Sequence, residues 1–194
     1  MALFYTMFSL SIFGYLNAFI MTTLQLIATY NLNKIEVPAR TVLLHEGDTA
    51  QNIYFIEKGC LRMWFNNNGN DITTQFFFEG SAIASSESLL TGNPSDFTLE
   101  TLEACILYVM PKKQFFELKQ TDANFKAWFN DIILDRFFYY SKHVLSYLKN
   151  KPQERYNNLL KNYPQILQRV PQHYVASYLG ITPVSLSRIR KRKV

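Results

Sequence analysis

The last two dozen residues of the chain, from Val170 to Val194, carry the pattern that most constrains its fold. Ala176 is a small residue at a position where two helices can cross closely. Gly180 stands where a tight turn needs a positive φ, which glycine adopts at little cost. Apolar residues recur at helical spacing around this turn: Val175, Leu179, Ile181, Leu186 and Ile189. The pattern predicts two helices that share a small core, joined as a helix-turn-helix.

The second helix of this pattern is predicted to begin at Pro183. The hydroxyl of Thr182 can accept a hydrogen bond from an unpaired amide of the first turn. Proline has no amide hydrogen, which costs nothing at the first helical position. With Leu186 and Ile189 turned inward, the opposite face of the helix would be free to meet a partner.

That outward face has residue types that read DNA. An arginine can form two hydrogen bonds to one guanine, and we expect Arg188 to do so in the major groove. Thr182 and the amides of the first turn suit a phosphate oxygen. The predicted DNA-binding residues are Gln172, Thr182, Pro183, Val184, Ser185, Ser187, Arg188, Lys191 and Arg192. The alternative is an ordinary helical hairpin with a solvated basic end.

Positive charge is concentrated at the same end of the chain. The chain has 20 basic and 15 acidic residues, a net charge of +5. Five basic residues of the tail account for all of it: Arg188, Arg190, Lys191, Arg192 and Lys193. A basic end on a neutral body attracts phosphates and predicts an affinity for nucleic acid that falls with salt.

The cysteines and histidines are too few and too scattered for a metal centre. Cys60 and Cys105 lie in apolar runs, which favours buried thiols in a reducing compartment. His45, His143 and His173 are far apart in the sequence. We therefore expect no iron–sulfur site, no three-histidine site, no cofactor and no catalytic residue.

The middle of the chain changes from a strand pattern to a helix pattern. The predicted strands are Val42–Leu44, Ile53–Ile56, Cys60–Phe65, Ile72–Phe78 and one run from Leu99 to Met110. Short strands separated by turns such as Glu46-Gly47-Asp48 and Lys58-Gly59 indicate a closed sandwich or roll. From Asp122 to about Leu148, aromatic and apolar residues recur every three or four positions, which predicts a long amphipathic helix.

The order of roll, long helix and helix-turn-helix resembles the bacterial cyclic-AMP receptor/fumarate-nitrate regulator (Crp/Fnr) family of transcription factors. The resemblance covers about Ile35 to Arg192. Its roll motifs are Glu46-Gly47-Asp48, the run from Tyr54 to Gly59, and Gly69. The terminal motif from Pro171 to Arg190 is very similar to that of one branch of the family.

The resemblance implies an α+β fold in three parts: a cyclic-nucleotide-binding-like jelly roll with N-terminal helices over residues 1–120, a dimerisation helix over 121–149, and a helix-turn-helix domain over 150–194. It implies a cytoplasmic homodimer on a palindromic operator of double-stranded DNA. A small-molecule effector and RNA polymerase are further candidate partners. The expected dimer seam is the stripe Phe129, Ile133, Phe137, Tyr140, Val144 and Tyr147. The alternative is that this stripe packs on the chain's own roll.

The site where this family holds a cyclic nucleotide departs from the family pattern. Ala84, Ser85, Ser95 and Asp96 stand where the family has a Gly-Glu pair and an Arg-Ser pair. No arginine remains there to neutralise a phosphate, and Asp96 would repel one. The hydroxyls of Ser85, Ser86 and Ser95 are the candidate donors to an effector. We expect an unidentified ligand, or none, rather than cyclic AMP; the rival is a constitutive DNA-binding protein with a purely structural roll.

The first 33 residues contain no charged side chain. Their length would permit a membrane helix, but polar residues interrupt the run throughout. No basic residue precedes the run, as a signal peptide would require. We expect short helices packed on the roll rather than a membrane-tethered sensor. A β-roll enzyme is disfavoured because the chain lacks a convergent nucleophile, base or metal set.

Overall fold

The computed structural model describes residues 22–191. The strands are β1 (Asn33–Val37), β2 (Val42–Leu44), β3 (Asn52–Lys58), β4 (Leu61–Asn67), β5 (Asn70–Phe77), β6 (Ala82–Ile83), β7 (Thr98–Thr101) and β8 (Cys105–Pro111). The helices are α1 (Thr23–Thr29), α2 (Ser86–Thr91), α3 (Lys112–Thr121), α4 (Ala123–Lys149), α5 (Pro152–Asn162), α6 (Pro164–Arg169), α7 (Gln172–Tyr178) and α8 (Pro183–Lys191).

The strands form two four-stranded antiparallel sheets. One sheet has the order β1-β8-β3-β6 and the other β2-β7-β4-β5, so the chain crosses repeatedly from one sheet to the other. This arrangement confirms the predicted roll and, with the helices, the α+β class. The single strand predicted from Leu99 to Met110 is wrong: the run is divided between β7 and β8, which lie in different sheets. After β7 the chain leaves the second sheet at Leu102, whose amide donates to the Cys60 carbonyl (2.8 Å).

Apolar side chains fill the space between the two sheets. Ile56 and Leu107 of one sheet, with Leu61 and Leu99 of the other, are at most 1% exposed. Burial of each such side chain contributes roughly 1.5–3 kcal/mol. This core holds the two sheets together.

The turn between β3 and β4 passes close to β8. Gly59 has a φ of 113°, and a Cβ there would lie 3.0 Å from Cys105 Cα and collide with its sulfur. Cys60 and Cys105 are both free and buried, which confirms the buried thiols predicted. Burial raises the pKa of Cys105 to about 11, so this thiol is protonated at neutral pH.

A second apolar cluster joins α1, α3 and α4 to the roll. Leu26, Phe55, Phe115 and Phe125 are fully buried in it. The Trp128 ring stacks on Phe55, with 5.8 Å between ring centroids. The start of α4 is therefore fixed to the body of the roll.

The N-terminal expectation is tested only in part. Helix α1 packs on the roll through Leu26, as predicted for a short helix there. The rest of the uncharged segment, residues 1–21, lies outside the described residues. Between residues 22 and 191, no helix is long and apolar enough to cross a membrane.

Helix α4 confirms the long helix predicted from the spacing of its apolar residues. Asp122 caps its start, because one carboxylate oxygen accepts hydrogen bonds from the amides of Asn124 (2.9 Å) and Phe125 (3.0 Å). The other oxygen accepts a hydrogen bond from the Tyr30 hydroxyl (2.7 Å). These bonds also hold the pKa of Asp122 below its ordinary value, so the cap is charged at neutral pH.

Helices α5 to α8 follow α4 after a short hinge. Pro152 opens α5. Arg155 of this helix donates to the carbonyls of Asn150 (2.8 Å) and Leu179 (2.9 Å). The hinge and the turn after α7 are thus tied together by one side chain.

Candidate functional site

Helices α7 and α8 meet in helix-turn-helix geometry. Gly180 has a φ of 65°, and a Cβ there would lie 2.7 Å from Cε1 of Tyr147 on α4. Ala176 is buried where the helices cross. The inward residues are buried, or half-buried in the case of Ile181: Val175, Leu179, Ile181, Leu186 and Ile189. The helix-turn-helix predicted from these residues is confirmed.

Helix α8 begins at Pro183, as predicted. Thr182 Oγ1 accepts a hydrogen bond from the Ser185 amide (3.1 Å) and donates to Ser185 Oγ (3.0 Å). The hydroxyl of Thr182 is thus occupied in capping the helix. This cap orients the first turn of α8.

The face of α8 opposite its buried side is open to solvent. Val184, Ser187, Arg188 and Lys191 are all exposed on it. Pro183 is exposed beside them, Ser185 is half-buried, and Gln172 is exposed at the start of α7. The structure thus brings these predicted DNA-binding residues into one motif, while Arg192 lies outside the described residues.

The helix-turn-helix docks on the roll through α7 and β5. Ser177 Oγ donates to the Asp71 carbonyl (2.7 Å) and accepts a hydrogen bond from the Thr73 amide (2.9 Å). The rings of Phe76 and Tyr178 lie 5.4 Å apart between centroids. Because α7 makes this contact, the outward face of α8 stays uncovered.

A buried arginine lies beneath the docked helix. Arg62 of β4 is 1% exposed, and its Nη2 donates to the carboxylates of Glu100 (2.9 Å) and Asp71 (3.3 Å). Its guanidinium carbon lies 3.7 Å from the ring centroid of Tyr174 on α7 and 4.7 Å from that of Trp64. Cation–π contact of this kind stabilises desolvated arginines and here joins β4 to α7.

Arg169 makes a second ionic contact between the C-terminal helices and the roll. Its guanidinium forms a two-point pair with Glu79, with both distances 2.8 Å, and a further bond to Glu103. Burial would raise the pKa of Glu79, but hydrogen bonds from Arg169 and the Gly59 amide outweigh it. The pKa of Glu79 is therefore held below its ordinary value.

The aromatic stripe of α4 divides between the chain's own body and solvent. Phe129 packs edge-on against Phe115, and Ile133 lines a cavity of the roll. Tyr140 donates a weak hydrogen bond to the Met63 sulfur (3.6 Å). Tyr147 packs on Gly180, and its hydroxyl donates to the Tyr178 carbonyl. These four residues of the expected seam therefore contact their own chain, which is the alternative stated above.

A different set of α4 residues is left exposed. Phe137 and Val144 of the expected stripe belong to it, with side chains 62% and 56% exposed. Leu134 and Leu148 are 50% and 77% exposed, and Ser141 is half-buried between them. The spacing of these five residues is that of the a and d positions of a heptad repeat. We call this set the α4 seam.

A cavity of about 290 Å³ lies between α4 and the roll. Its lining includes Ala84, Ser85, Ser86 and Asp96, which are predicted effector positions. The structure thus brings together, around one cavity, the two parts of the loop that differ from the family pattern. The residues of α4 that line the cavity are Ile133, Arg136, Phe137 and Tyr140.

The serines of this loop are bonded mainly to the loop itself. Ser95 is buried, and its hydroxyl is 2.8 Å from both Ser85 Oγ and the Phe97 carbonyl. Ser88 donates to the Asn93 carbonyl (2.6 Å). Among the predicted effector residues, Ser86 and Asp96 are exposed. The hydroxyls of Ser85 and Ser95 therefore stabilise the loop in this structure.

The loop itself has no arginine, as its sequence shows, but the fold brings a cation to the cavity from another element. Arg136 of α4 lines the cavity, where one Nη donates to Gln75 Oε1 (3.2 Å) and the other to the Ala82 carbonyl (2.8 Å). Its guanidinium carbon lies 4.5 Å from the Phe77 ring centroid. Arg136 and Gln75 are 61 residues apart, so no local motif could have revealed the contact.

Comparison with known proteins agrees with this architecture. Residues 34–122 match the family described as the cyclic nucleotide-binding domain. No curated protein matches the sequence. Solved structures match over most of the chain at low sequence identity, which shows that the fold is shared.

Three of these solved structures illustrate the match. FixK2 from Bradyrhizobium japonicum has a TM-score of 0.71 at 14% identity, with 83% of each chain covered. A transcriptional regulator of the Crp/Fnr family from Eubacterium rectale has a TM-score of 0.66 at 16% identity, covering 88% of this chain and 82% of that one. CLP from Xanthomonas campestris, described as a c-di-GMP-responsive global regulator, has a TM-score of 0.64 at 16% identity, covering 88% and 89%. The chain therefore shares the fold of these solved regulators, and its residues 34–122 match the cyclic nucleotide-binding domain.

Proposed function

We propose that this protein is a DNA-binding transcription regulator. The observation that carries the proposal is the outward face of α8, where Val184, Ser187, Arg188 and Lys191 are exposed while Leu186 and Ile189 are buried. A recognition helix needs this division, because one face must pack on its own domain while the other enters the major groove. Such a role places the protein in the cytoplasm, with the DNA.

The regulator acts as a homodimer in this proposal. The α4 seam supports it, because an exposed row of Leu134, Phe137, Val144 and Leu148 on one helix is stabilised when a second copy covers it. Two α4 helices paired along the seam would relate the two recognition helices by a twofold axis. A twofold dimer reads a palindromic operator, with half-sites about one helical turn or ~34 Å apart.

Contacts of the roll with α6 and α7 would transmit a change in the roll to the recognition helix. Arg62 stacks beneath Tyr174, Ser177 bonds to β5, and Arg169 bonds to Glu79. The bonds are short and specific, so a shift of the roll would move α7 and, through Gly180, α8. The position of the recognition helix is then set by the state of the roll.

A purely structural roll is the second candidate. The internal bonds of Ser85, Ser88 and Ser95 favour it, since a loop that satisfies its own hydroxyls does not need a ligand to hold its shape. Under this alternative the protein binds DNA constitutively. Both candidates share the same operator geometry.

Selection of bound duplexes from a random library tests the proposal. The expected result is a recovered palindrome, with footprinting that shows two protected half-sites on one face of the DNA. Recovery of single half-sites, or binding of one chain per duplex, would contradict the dimer. Recovery of no preferred sequence would contradict the proposed function itself.

Cyclic AMP is not expected to bind measurably. Asp96 and Ser95 stand where the family neutralises the phosphate, and Ser95 is buried in bonds to its own loop. Calorimetric titration with millimolar nucleotide measures this directly. A micromolar dissociation constant would show that the loop uses other residues to hold the phosphate.

A further inference from the structure

The cavity beside α4 is lined by Arg136, a cation whose hydrogen bonds go to uncharged groups. Among the described residues, the ion pairs of the structure do not include Arg136. Its two hydrogen bonds go to neutral acceptors, Gln75 and the Ala82 carbonyl. Burial lowers the pKa of Arg136, so the neighbouring charge of Asp135 does not fully offset the removal of this cation from water.

This guanidinium is held in a fixed position. Gln75 and Ala82 are both buried, and the Phe77 ring lies against one face of the guanidinium. Arginine has five N–H donors in a planar fork, so two hydrogen bonds leave part of the fork for a ligand. A positioned arginine at a cavity binds an anion without a further cost of ordering its side chain.

We propose that the cavity binds a small organic acid, whose carboxylate pairs with Arg136. The volume of about 290 Å³ limits the ligand to a small molecule. The planar fork of an arginine matches the two oxygens of a carboxylate. Phe97, Ile133 and Phe137 provide apolar walls for the rest of the ligand, beside the phenol of Tyr140.

The surrounding charges favour a single negative charge on the ligand. Arg136 supplies one positive charge, while Glu87 and Asp96 line the same cavity from the exposed side. A phosphate dianion would bring a second charge that no cation balances, near two carboxylates. A carboxylate on Arg136 has its charge balanced, and its apolar part can extend away from the acidic residues.

A small apolar crevice adjoins the cavity at the arginine. It has a volume of about 30 Å³ and shares Ala84, Ser86, Ile133 and Arg136 with the larger cavity. Leu89, Leu90 and Trp128 contribute its apolar surface. An acid with a short alkyl group would bury the end of that group there.

Such a ligand would act on the proposed dimer, and in this respect the inference rests on the proposed function. Arg136 and Phe137 are neighbours on α4, and Phe137 both lines the cavity and belongs to the α4 seam. A carboxylate bonded to Arg136 would therefore fix the part of α4 from which the seam projects. The site differs from the family's phosphate position, since its cation comes from α4.

The test uses matched pairs of acids and amides on the full chain. The probes are acetate and acetamide, benzoate and benzamide, and 3-phenylpropionate and 3-phenylpropanamide, titrated at constant ionic strength while the melting temperature is recorded. At least one carboxylate should raise the melting temperature in a saturable manner, and its amide should not. The absence of such a shift with every pair would overturn the proposal.

Two variants assign the effect to the arginine. Arg136→Met should weaken carboxylate binding by at least roughly tenfold, because it removes the charged hydrogen bonds. Arg136→Lys keeps the charge without the planar fork and should bind with intermediate affinity; it also serves if the methionine variant does not fold. The matched control is Lys142→Met, which removes the same charge from an exposed position on α4 and should bind as the wild type does.

Equal carboxylate affinity in the wild type and both Arg136 variants would overturn the proposal. Sodium phosphate and cyclic AMP complete the set of probes, and a larger saturable shift with either would replace the carboxylate as the ligand class. No DNA is present in these measurements. Failure of the duplex selection would therefore contradict the proposed function while leaving the carboxylate site to be judged by its own result.

Discussion

At the residue scale, Arg188 and Lys191 share the exposed face of α8 but offer different chemistry. Arg188→Ala should relax the preference at one base pair in each half-site and cost about 1–3 kcal/mol there, because a two-point guanine contact is lost. Lys191→Ala should weaken binding to all sequences alike and flatten the salt dependence by about one charge. Competition assays with specific and random duplexes at several salt concentrations separate the two effects. Equal loss on both duplexes for Arg188→Ala would make this arginine a phosphate contact.

Gly180 is a second residue whose individual contribution to stability can be measured. Gly180→Ala should destabilise the protein for two reasons, the positive φ and the close approach of Tyr147. Gly92→Ala is the matched control, because Gly92 also has a positive φ (81°) but its added Cβ would meet nothing within 4 Å. We expect roughly 1–2 kcal/mol for the control from φ alone, and a larger loss at Gly180. Equal losses in denaturant unfolding would show that Tyr147 moves aside without cost.

At the scale of elements, α4 has an inner face that packs on its own chain and an outer face that forms the α4 seam. Leu148→Glu places a charge at the most exposed seam position and should weaken the dimer by at least about tenfold, because pairing would bury that charge. Lys142→Glu, an exposed position beside the seam, should leave dimerisation unchanged. Sedimentation of each variant over a range of concentrations measures the association. A dimer that persists unchanged in Leu148→Glu would place the interface elsewhere.

At the scale of the whole molecule, the bond from Arg169 to Glu79 joins the C-terminal helices to the roll. The folded pKa of Glu79 lies below its ordinary value of 4.5. Its contribution to stability is thus fully present above that value and is lost as the pH falls through the folded pKa. Arg169→Gln should cost about 1–2 kcal/mol at neutral pH and flatten the acid side of the stability profile.

The matched control for this contact is Lys113→Gln. Lys113 pairs with Glu117 on the surface of α3, where both side chains are largely exposed, and such pairs contribute little. The stability of the Lys113→Gln variant should follow the wild-type pH profile throughout. The measurement is thermal unfolding of the wild type and both variants, from pH 7 down to acidic pH. Parallel profiles for the wild type and Arg169→Gln would show that Glu79 gains no stability from its arginine.

The sequence by itself determined the parts of this protein that depend on neighbouring residues. Several features follow from interactions over a few positions of the chain: the cap at Thr182, the start of α8 at Pro183, the positive φ of Gly180 and the length of α4. Helical period, capping and turn chemistry act over that range, and they are readable without tertiary contacts. The short strands of the roll were readable for the same reason, except where the run from Leu99 to Met110 divides between the two sheets.

Only the tertiary structure decided which surfaces and side chains these elements share. The apolar stripe of α4 showed one period, but folding on the roll left Phe129 and Tyr140 half-buried and Leu134 and Leu148 exposed. Arg169 meets Glu79 across 90 residues of chain. The cation of the cavity, Arg136, comes from α4, which is far in the sequence from the loop of Ser85 and Ser95. Such pairings depend on how the sheets and helices pack, and a spacing rule within one segment cannot contain that information.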